Sequence, residues 1–357
     1  MMLGGRSGMN SPTFILEQKK LQENLAHFEY LAKETGIIWL YTLKAFDAPE
    51  GLALIAHSFD GFSLGNANEY AKVKEYGKKV HSYTPAYYEE EVETLAKQSN
   101  TMSFNSLTQY RRYAKRCQEH TSLGLRINPK LMLNQPDYCN SNRSRLGVPY
   151  QNFLDVYQED KEVFERLEGL HFHAFCYQDS HAFEDLITHI EDNYTAILKR
   201  LKWLNFGGGL DFTSKTFDTV HFMKVLQTFQ QKYPQLTLYF EPASAVLKDV
   251  GQLEATVMDI ISDTIPIVIL NISIESHLLD IAIAHVQPTI KGASRFKSDY
   301  PYQITGLSCI AGDVIGSYYF NEKLSVGDTI YFEDMLAYTW VKQTSFNGLR
   351  KATLSVL

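Results

Sequence analysis

The sequence predicts an α/β protein, a (β/α)8 barrel of the TIM type followed by a C-terminal β-rich domain. Three observations carry that expectation. Over residues 17–242 short β-rich apolar runs alternate with longer amphipathic segments, the pattern of parallel βαβ units. Eight such runs can be counted; a closed barrel requires eight, and an open doubly wound sheet usually needs fewer. After Pro242 the helical periodicity fades and β-branched runs punctuated by Gly and Asp take over.

The eight runs are IIWLYT (37–42), DGFS (60–63), KVHSY (79–83), TMSF (101–104), SLGLRI (122–127), EGLHFHAF (168–175), LKWLNF (201–206) and QLTLYF (235–240). Between them PEGLALIAHS, NANEYAKVKEY, EEEVETLAKQ, LTQYRRYAKRC, FEDLITHIEDNYTAILKRL and TVHFMKVLQTFQQKY place apolar residues near i, i+3, i+4 and i+7, as helices covering a barrel do. The β domain is expected over 243–357, from ATVMDIISD, IPIVILNISI, YPYQITGLSCI and GDTIYFED. SPTFILE also reads as a strand and lies before the first barrel helix, so residues 11–16 are expected to join that domain.

With 357 residues, the chain has room for two domains or one large barrel with an appendage. Hydrophobic residues make up 45% and charged residues 21%, which is globular composition and excludes a disordered or fibrous chain. The net charge of −7 argues against a protein that tracks nucleic-acid phosphates. It would suit a small cationic substrate, although many soluble proteins carry as much charge without that purpose. Cys117, Cys139, Cys176 and Cys309 are scattered, with no C-x-x-C pair and no histidines at zinc spacing. Neither a disulfide framework nor a metal is expected, and a reducing cytoplasm fits best. The most apolar stretch, 260–274, is interrupted by Ser262, Asp263, Thr264 and Pro266, so no membrane span is expected. The opening MMLGGRSGMN has neither the basic start nor the apolar core of a signal peptide.

In a barrel of this kind the active site lies where the strands end, so the residues that close each run come first. Lys44 follows the first run, Asp60 and Ser63 lie in the second, Arg126 in the fifth and His173 in the sixth; the seventh leads into Gly207, Gly208 and Gly209, and the eighth into Glu241-Pro242. An amine partly desolvated in such a mouth becomes nucleophilic. Three glycines let backbone N–H groups approach an anion. The chain lacks the spacings of the triphosphate and dinucleotide loops. An amine for an aldehyde, a carboxylate for a ring nitrogen and a cradle for a phosphate are what pyridoxal 5'-phosphate needs.

These residues resemble the fold-type III pyridoxal-phosphate enzymes: alanine racemase and the ornithine, diaminopimelate and carboxynorspermidine decarboxylases. The likeness runs from SPTFILE to SFNGL. YTLKAF is similar to the motif of the cofactor lysine, which implies Lys44. LHFHAF resembles the segment whose second histidine stacks on the cofactor ring, here His173. FGGGLDF resembles the phosphate loop, and FEPAS the segment whose glutamate pairs with the ring nitrogen, here Glu241. LRINP puts Arg126 where the decarboxylases have a cofactor-side arginine, and MLAYTWVKQTSFNG resembles the motif of a phosphate-binding tyrosine, here Tyr338. Two departures stand out. The family's E-P-G is Glu241-Pro242-Ala243, which leaves Ser244 as a candidate phosphate contact. His-x-Gly-Ser is His173-Ala174-Phe175-Cys176, which lacks a phosphate hydroxyl.

SCIAGDVIGSY resembles the decarboxylase motif in which a cysteine and an aspartate reach across a homodimer interface; the matching residues are Cys309 and Asp313. SRLGV and TSFNG look most like the carboxynorspermidine and carboxyspermidine decarboxylases. The resemblance therefore implies decarboxylation of a small cationic carboxy-polyamine in polyamine synthesis. It casts Lys44, Cys309 and His173 as catalytic, Cys309 as the proton donor, and Asp313 and Arg145 as substrate contacts. The same chemistry on diaminopimelate, ornithine or arginine is the nearest alternative, and a non-catalytic carrier of the cofactor is the other.

Overall fold

The computed structural model describes residues 11–133, 144–296 and 299–357. Its described residues fall into two compact units, one of 22–246 and one combining the N-terminal segment through Leu21 with 247–357. The chain opens on strand β1 (Thr13–Leu16), which belongs to the second unit.

The first unit is a closed parallel barrel. Its strands are β2 (Ile38–Thr42), β3 (Gly61–Leu64), β4 (Lys79–Tyr83), β5 (Thr101–Phe104) and β6 (Ser122–Asn128). A two-residue β7 (Val148–Pro149) lies beside β6, and β8 (Gly169–Phe172), β9 (Trp203–Asn205) and β10 (Thr237–Phe240) follow. The order is β5-β4-β3-β2-β10-β9-β8-β6, and pairing of β5 with β6 closes the ring. The eight predicted runs are thus the eight barrel strands.

Several ends differ from the sequence reading for local reasons. The sixth run was expected to extend to Phe175, but β8 stops at Phe172 because β9 stops at Asn205, where Gly207 (φ +66) turns the chain away. His173 therefore stands just past its strand. The helix expected from Phe183 begins at Ser180, because the Asp179 side chain accepts hydrogen bonds from the His181 and Ala182 backbone N–H groups. The acidic run Glu89–Glu91 is not helical. Glu89 instead forms ion pairs with Arg112 and Arg116.

The barrel's outer layer is aromatic. Trp39 and Tyr41 on β2 point away from the axis, and Trp39 packs edge-on against Phe28 and Phe212 while its indole N–H donates to the Phe28 carbonyl at 2.8 Å. Phe240 closes the same cluster against Phe183, Phe206 and Phe222. At the start of β3, Asp60 accepts the Trp39 backbone N–H at 3.0 Å, so this carboxylate belongs to the N-terminal end of the barrel and not to its mouth. Inside, the Trp203 indole fills the space left by two strand glycines. A Cβ on Gly124 would lie 2.2 Å from Trp203 Cη2, and one on Gly169 2.0 Å from Trp203 Cδ2.

The second unit is a sheet built around β11 (Gly251–Ile261), whose residues alternate between buried and partly exposed through Val257, as a strand with one covered face should. With β12 (Ile267–Leu270), β13 (Ala293–Ser294), β14 (Tyr300–Thr305), β15 (Val314–Phe320), β16 (Thr329–Glu333) and β17 (Thr353–Val356), the order is β13-β15-β14-β12-β11-β1-β17, and β16 also pairs with β11. β1 runs antiparallel to β11 and parallel to β17. The run YPYQITGLSCI is strand only to Thr305. At Gly306 the chain passes so close to the Asp313 carboxylate that a Cβ would sit 2.3 Å from Oδ1.

Cys117 and Cys309 are free thiols, whereas Cys176 is disulfide-bonded, which the scattered spacing had not led us to expect. Cys139 lies outside the described residues. Among the described residues no helix is long and apolar enough to cross a membrane.

The fit of Trp203 between Gly124 and Gly169 makes Gly169→Ala an overpacking substitution expected to cost about 1–3 kcal/mol. A thermal melt should show a lowered midpoint; an unchanged midpoint would mean that the indole does not fill the barrel.

Candidate active site

Strand side chains alternate between faces, so in a closed barrel every second residue points at the axis. On β4 these are His81 and Tyr83, on β6 Gly124 and Arg126, on β8 Gly169 and His171, and on β9 Trp203 and Asn205. Register sets Arg126 beside His171 and His171 beside Asn205. Trp203 forms the floor, the polar residues stand above it, and the residues just beyond the strand ends form the mouth.

Glu241 follows β10 and is buried. Its Oε1 accepts a hydrogen bond from Asn205 Nδ2 at 2.7 Å, while Asn205 Oδ1 accepts the Gly207 N–H at 2.8 Å. One amide side chain thus ties the carboxylate to the glycine loop. Gly207 (φ +66) and Gly209 (φ +96) have backbones that side chains rarely adopt. A Cβ on Gly208 would meet the Glu241 carbonyl at 2.2 Å, one on Gly207 the His173 ring at 2.6 Å, and one on Gly209 the Phe175 carbonyl at 2.1 Å. Here the glycines are required by contact as well as by conformation. His173 Nδ1 accepts the Gly208 N–H at 3.3 Å. Its imidazole is held well below the usual histidine range by burial, then by the Arg126 and Lys44 charges, so it is neutral near pH 7.

Lys44 lies in a single 3-10 turn, Leu43–Ala45, directly after β2. Its side chain reaches solvent, yet protein crowds it on most sides of the concave mouth. This desolvation lowers its ammonium pKa, against the opposing pull of the Glu241 carboxylate. A second carboxylate, Glu69, also faces it; Glu69 accepts the Gly65 N–H at 2.6 Å, and burial raises its pKa. The Arg126 guanidinium sits 4.6 Å over the Tyr83 ring. Tyr83 donates its hydroxyl to Asn105 Oδ1 at 2.7 Å, which also accepts the Gly147 N–H, and Asn105 Nδ2 donates to the Arg145 carbonyl at 2.8 Å. The backbone around Arg145 is therefore fixed while its side chain is exposed. Ser244, half-buried, begins the short helix Ser244–Leu247.

Three of the expected residues belong to the other unit. Cys309 is exposed, and its N–H donates to Asn347 Oδ1 at 2.8 Å. Asp313 is buried, with Oδ1 accepting the Ile274 N–H and Oδ2 the Ser308 N–H, both at 2.9 Å. Tyr338 has φ +62, and the Lys342 ammonium lies 5.5 Å from its ring centroid.

Sequence reasoning passed over His81, His171, Asn205, Tyr83, Asn105 and Glu69. A usable signal was present for His81, Tyr83, His171 and Asn205. Each lies two residues from an inward position already named or from its own neighbour in the same strand, and period two alone places it on the axis. Glu69 and Asn105 sit on a helix and a loop, where no such rule applies.

A lysine with a depressed pKa, a buried carboxylate, a neutral imidazole and a glycine loop at one end of a closed barrel are groups that suit pyridoxal phosphate, and the relatives of the chain make it a pyridoxal-phosphate-dependent decarboxylase. The family profile for the pyridoxal-dependent decarboxylase C-terminal sheet domain matches residues 174–335. A carboxynorspermidine/carboxyspermidine decarboxylase of Campylobacter jejuni is 33% identical, covering 98% of this chain and 93% of its own. A carboxyaminopropylagmatine decarboxylase of Synechocystis is also 33% identical, over 98% of this chain and 91% of its own. The crystal structure of carboxynorspermidine decarboxylase from C. jejuni, complexed with norspermidine, superposes with a TM-score of 0.88 at 32% identity, covering 97% of this chain and 94% of that one. The chain belongs to the carboxynorspermidine/carboxyspermidine decarboxylase family.

Two measurements test this geometry. Gly208→Ala should weaken retention of pyridoxal phosphate about ten-fold or more, read by titrating the apo-protein, because the added methyl collides with the Glu241 backbone. The rate of cofactor capture, followed against pH, should inflect below the usual lysine value of about 10.4, since the Lys44 amine is free of its proton at lower pH than an exposed lysine. An inflection at or above that value would contradict a desolvated amine.

Proposed function

We propose that the protein decarboxylates carboxynorspermidine or carboxyspermidine, releasing CO2 and the corresponding polyamine, with the site residues acting as follows. The juxtaposition of Lys44 with Glu241 and the glycine cradle carries this reading. Pyridoxal phosphate, when bound, supplies the electron sink for the pair left behind as the α-carboxylate departs. Lys44 would hold the cofactor through its aldehyde, for which its desolvated amine is suited. Glu241 keeps a proton on the ring nitrogen, and its burial strengthens that pairing. His173 holds the ring plane from one face; being neutral, it adds no charge that would compete with Glu241. Gly207, Gly208 and Gly209 offer backbone N–H groups to the phosphate, with Arg126, Ser244 and Tyr338 as the further cofactor contacts.

The substrate side is completed by a second copy of the chain. In this reading the protein is a homodimer, and Cys309 from the partner delivers a proton to the substrate carbon after CO2 leaves. Its exposure on its own unit favours that role. Asp313 and Arg145 contact the substrate in the family's pattern. Both oxygens of Asp313 already brace the loop that carries Cys309, however, so its weight falls on placing the thiol more than on meeting a substrate amine.

The carboxyaminopropylagmatine enzyme stands as near in sequence as the carboxynorspermidine enzyme, and this favours testing its substrate alongside. CO2 release should be measured with carboxynorspermidine, carboxyspermidine, carboxyaminopropylagmatine, diaminopimelate, ornithine and arginine. Turnover should favour the first two, and preference for any other would reassign the substrate. The visible absorbance of bound cofactor should vanish in Lys44→Ala. Mixing inactive Lys44→Ala with inactive Cys309→Ala should restore up to about one quarter of wild-type activity, since half the dimers are then hybrids and each hybrid has one complete site. No recovery on mixing would mean that each site is built from one chain.

A further inference from the structure

Glu241 lies between two histidines to which the reaction above gives no role. His81 Nε2 is 3.8 Å from Glu241 Oε1, and His171 Nε2 is 3.8 Å from Glu241 Oε2. The histidines are 1% and 0% exposed and meet edge to face, with ring centroids 5.3 Å apart. Apart from the Glu241 carboxylate, neither these two Nε2 atoms nor His171 Nδ1 has a hydrogen-bonding partner among the described residues. Leaving such groups buried costs about 1–3 kcal/mol each, so two of them facing one carboxylate call for a function.

Neighbouring groups set the tautomers. His81 Nδ1 is 2.8 Å from Thr101 Oγ1. If His81 Nδ1 kept the proton, the Nε2 lone pair would face the carboxylate, which is repulsive. The Thr101 hydroxyl therefore donates to Nδ1 and the Nε2–H points at Glu241. The same repulsion places the His171 proton on Nε2. Both rings are neutral, because burial lowers their pKa; for His171 the Arg126 charge and the other histidines lower it further.

Resting on the reading of Glu241 given above, we propose that His81 and His171 are positioning residues for the reaction: with Asn205 they surround the Glu241 carboxylate with N–H dipoles and hold it oriented toward the cofactor's ring nitrogen. At 3.8 Å the two histidine contacts are charge–dipole interactions, longer than hydrogen bonds, and between groups as buried as these such interactions are strengthened. Neutral donors suit this place. A lysine or arginine against Glu241 would form an ion pair that competes with the ring nitrogen, whereas N–H dipoles stabilise the anion and leave its net charge available. Thr101 is the outer link, since its hydroxyl fixes which way the His81 proton points.

The test compares His81→Leu, His171→Leu, His171→Gln and Thr101→Val with Glu241→Gln as reference, using the holoenzyme at saturating pyridoxal phosphate. Each leucine variant should lose kcat roughly ten-fold to hundred-fold with KM within about two-fold. The cofactor dissociation constant, measured on apo-protein, should rise in the same variants. His171→Gln, which keeps an N–H donor, should recover part of the kcat that leucine loses, and Thr101→Val should lower kcat a few-fold without opening a cavity. If the leucine variants fail to fold, the glutamine and valine variants carry the test at full weight. Wild-type kcat in the leucine variants or in Thr101→Val, or equal damage from leucine and glutamine at position 171, would overturn the proposal. Full activity in Glu241→Gln would instead overturn the role of Glu241 itself.

Discussion

Everything in the barrel unit depends on one buried side chain, Glu241, and on the polar groups that surround it. An ionised carboxylate removed from water is costly unless its lone pairs are met. Here Asn205 meets it directly, His81 and His171 flank it, and the Trp203 indole fills the space beside Gly124 and Gly169. Because Asn205 also binds the Gly207 N–H, the position of the carboxylate and the shape of the glycine loop are a single constraint. His173 accepts the Gly208 N–H, so the imidazole and the glycine loop cannot shift independently.

The same constraint explains the small residues. Gly124 and Gly169 admit the Trp203 indole, and Gly207, Gly208 and Gly209 admit the His173 ring and the Glu241 and Phe175 carbonyls. A glycine in a strand usually marks a close approach by something else. In this protein the glycines on β6 and β8 mark the floor of the site and those after β9 mark its cradle. The second unit follows the same rule at Gly306, where the chain passes over Asp313. That aspartate holds the ends of the loop carrying Cys309, so the exposed thiol is mounted on a buried brace.

Much of the fold was legible without coordinates. All eight barrel strands were visible as β-rich apolar runs, because a parallel strand covered on its outer face must be apolar at alternate positions. Lys44, Arg126, His173, Glu241 and the glycine loop were visible as residues in or just after the barrel strands, because strand order and period can be read from the runs. The strand ends themselves were less clear: the sixth run was read through Phe175, since nothing in EGLHFHAF says that its neighbour on β9 runs out at Asn205. Pairing is a property of two segments, and one segment does not contain it.

What the sequence by itself determined is the order and period of the strands, and with them the residues that face the axis. Only the tertiary structure decided which of those axial residues touch. His81, His171 and Asn205 come from runs separated by up to 124 positions and meet at one carboxylate through strand register, closure of β5 on β6 and the bulk of Trp203. Asp60 makes the same point. It opens the run DGFS, and only the structure shows what it does at that N-terminal end of the barrel, where it accepts the Trp39 N–H from the neighbouring strand.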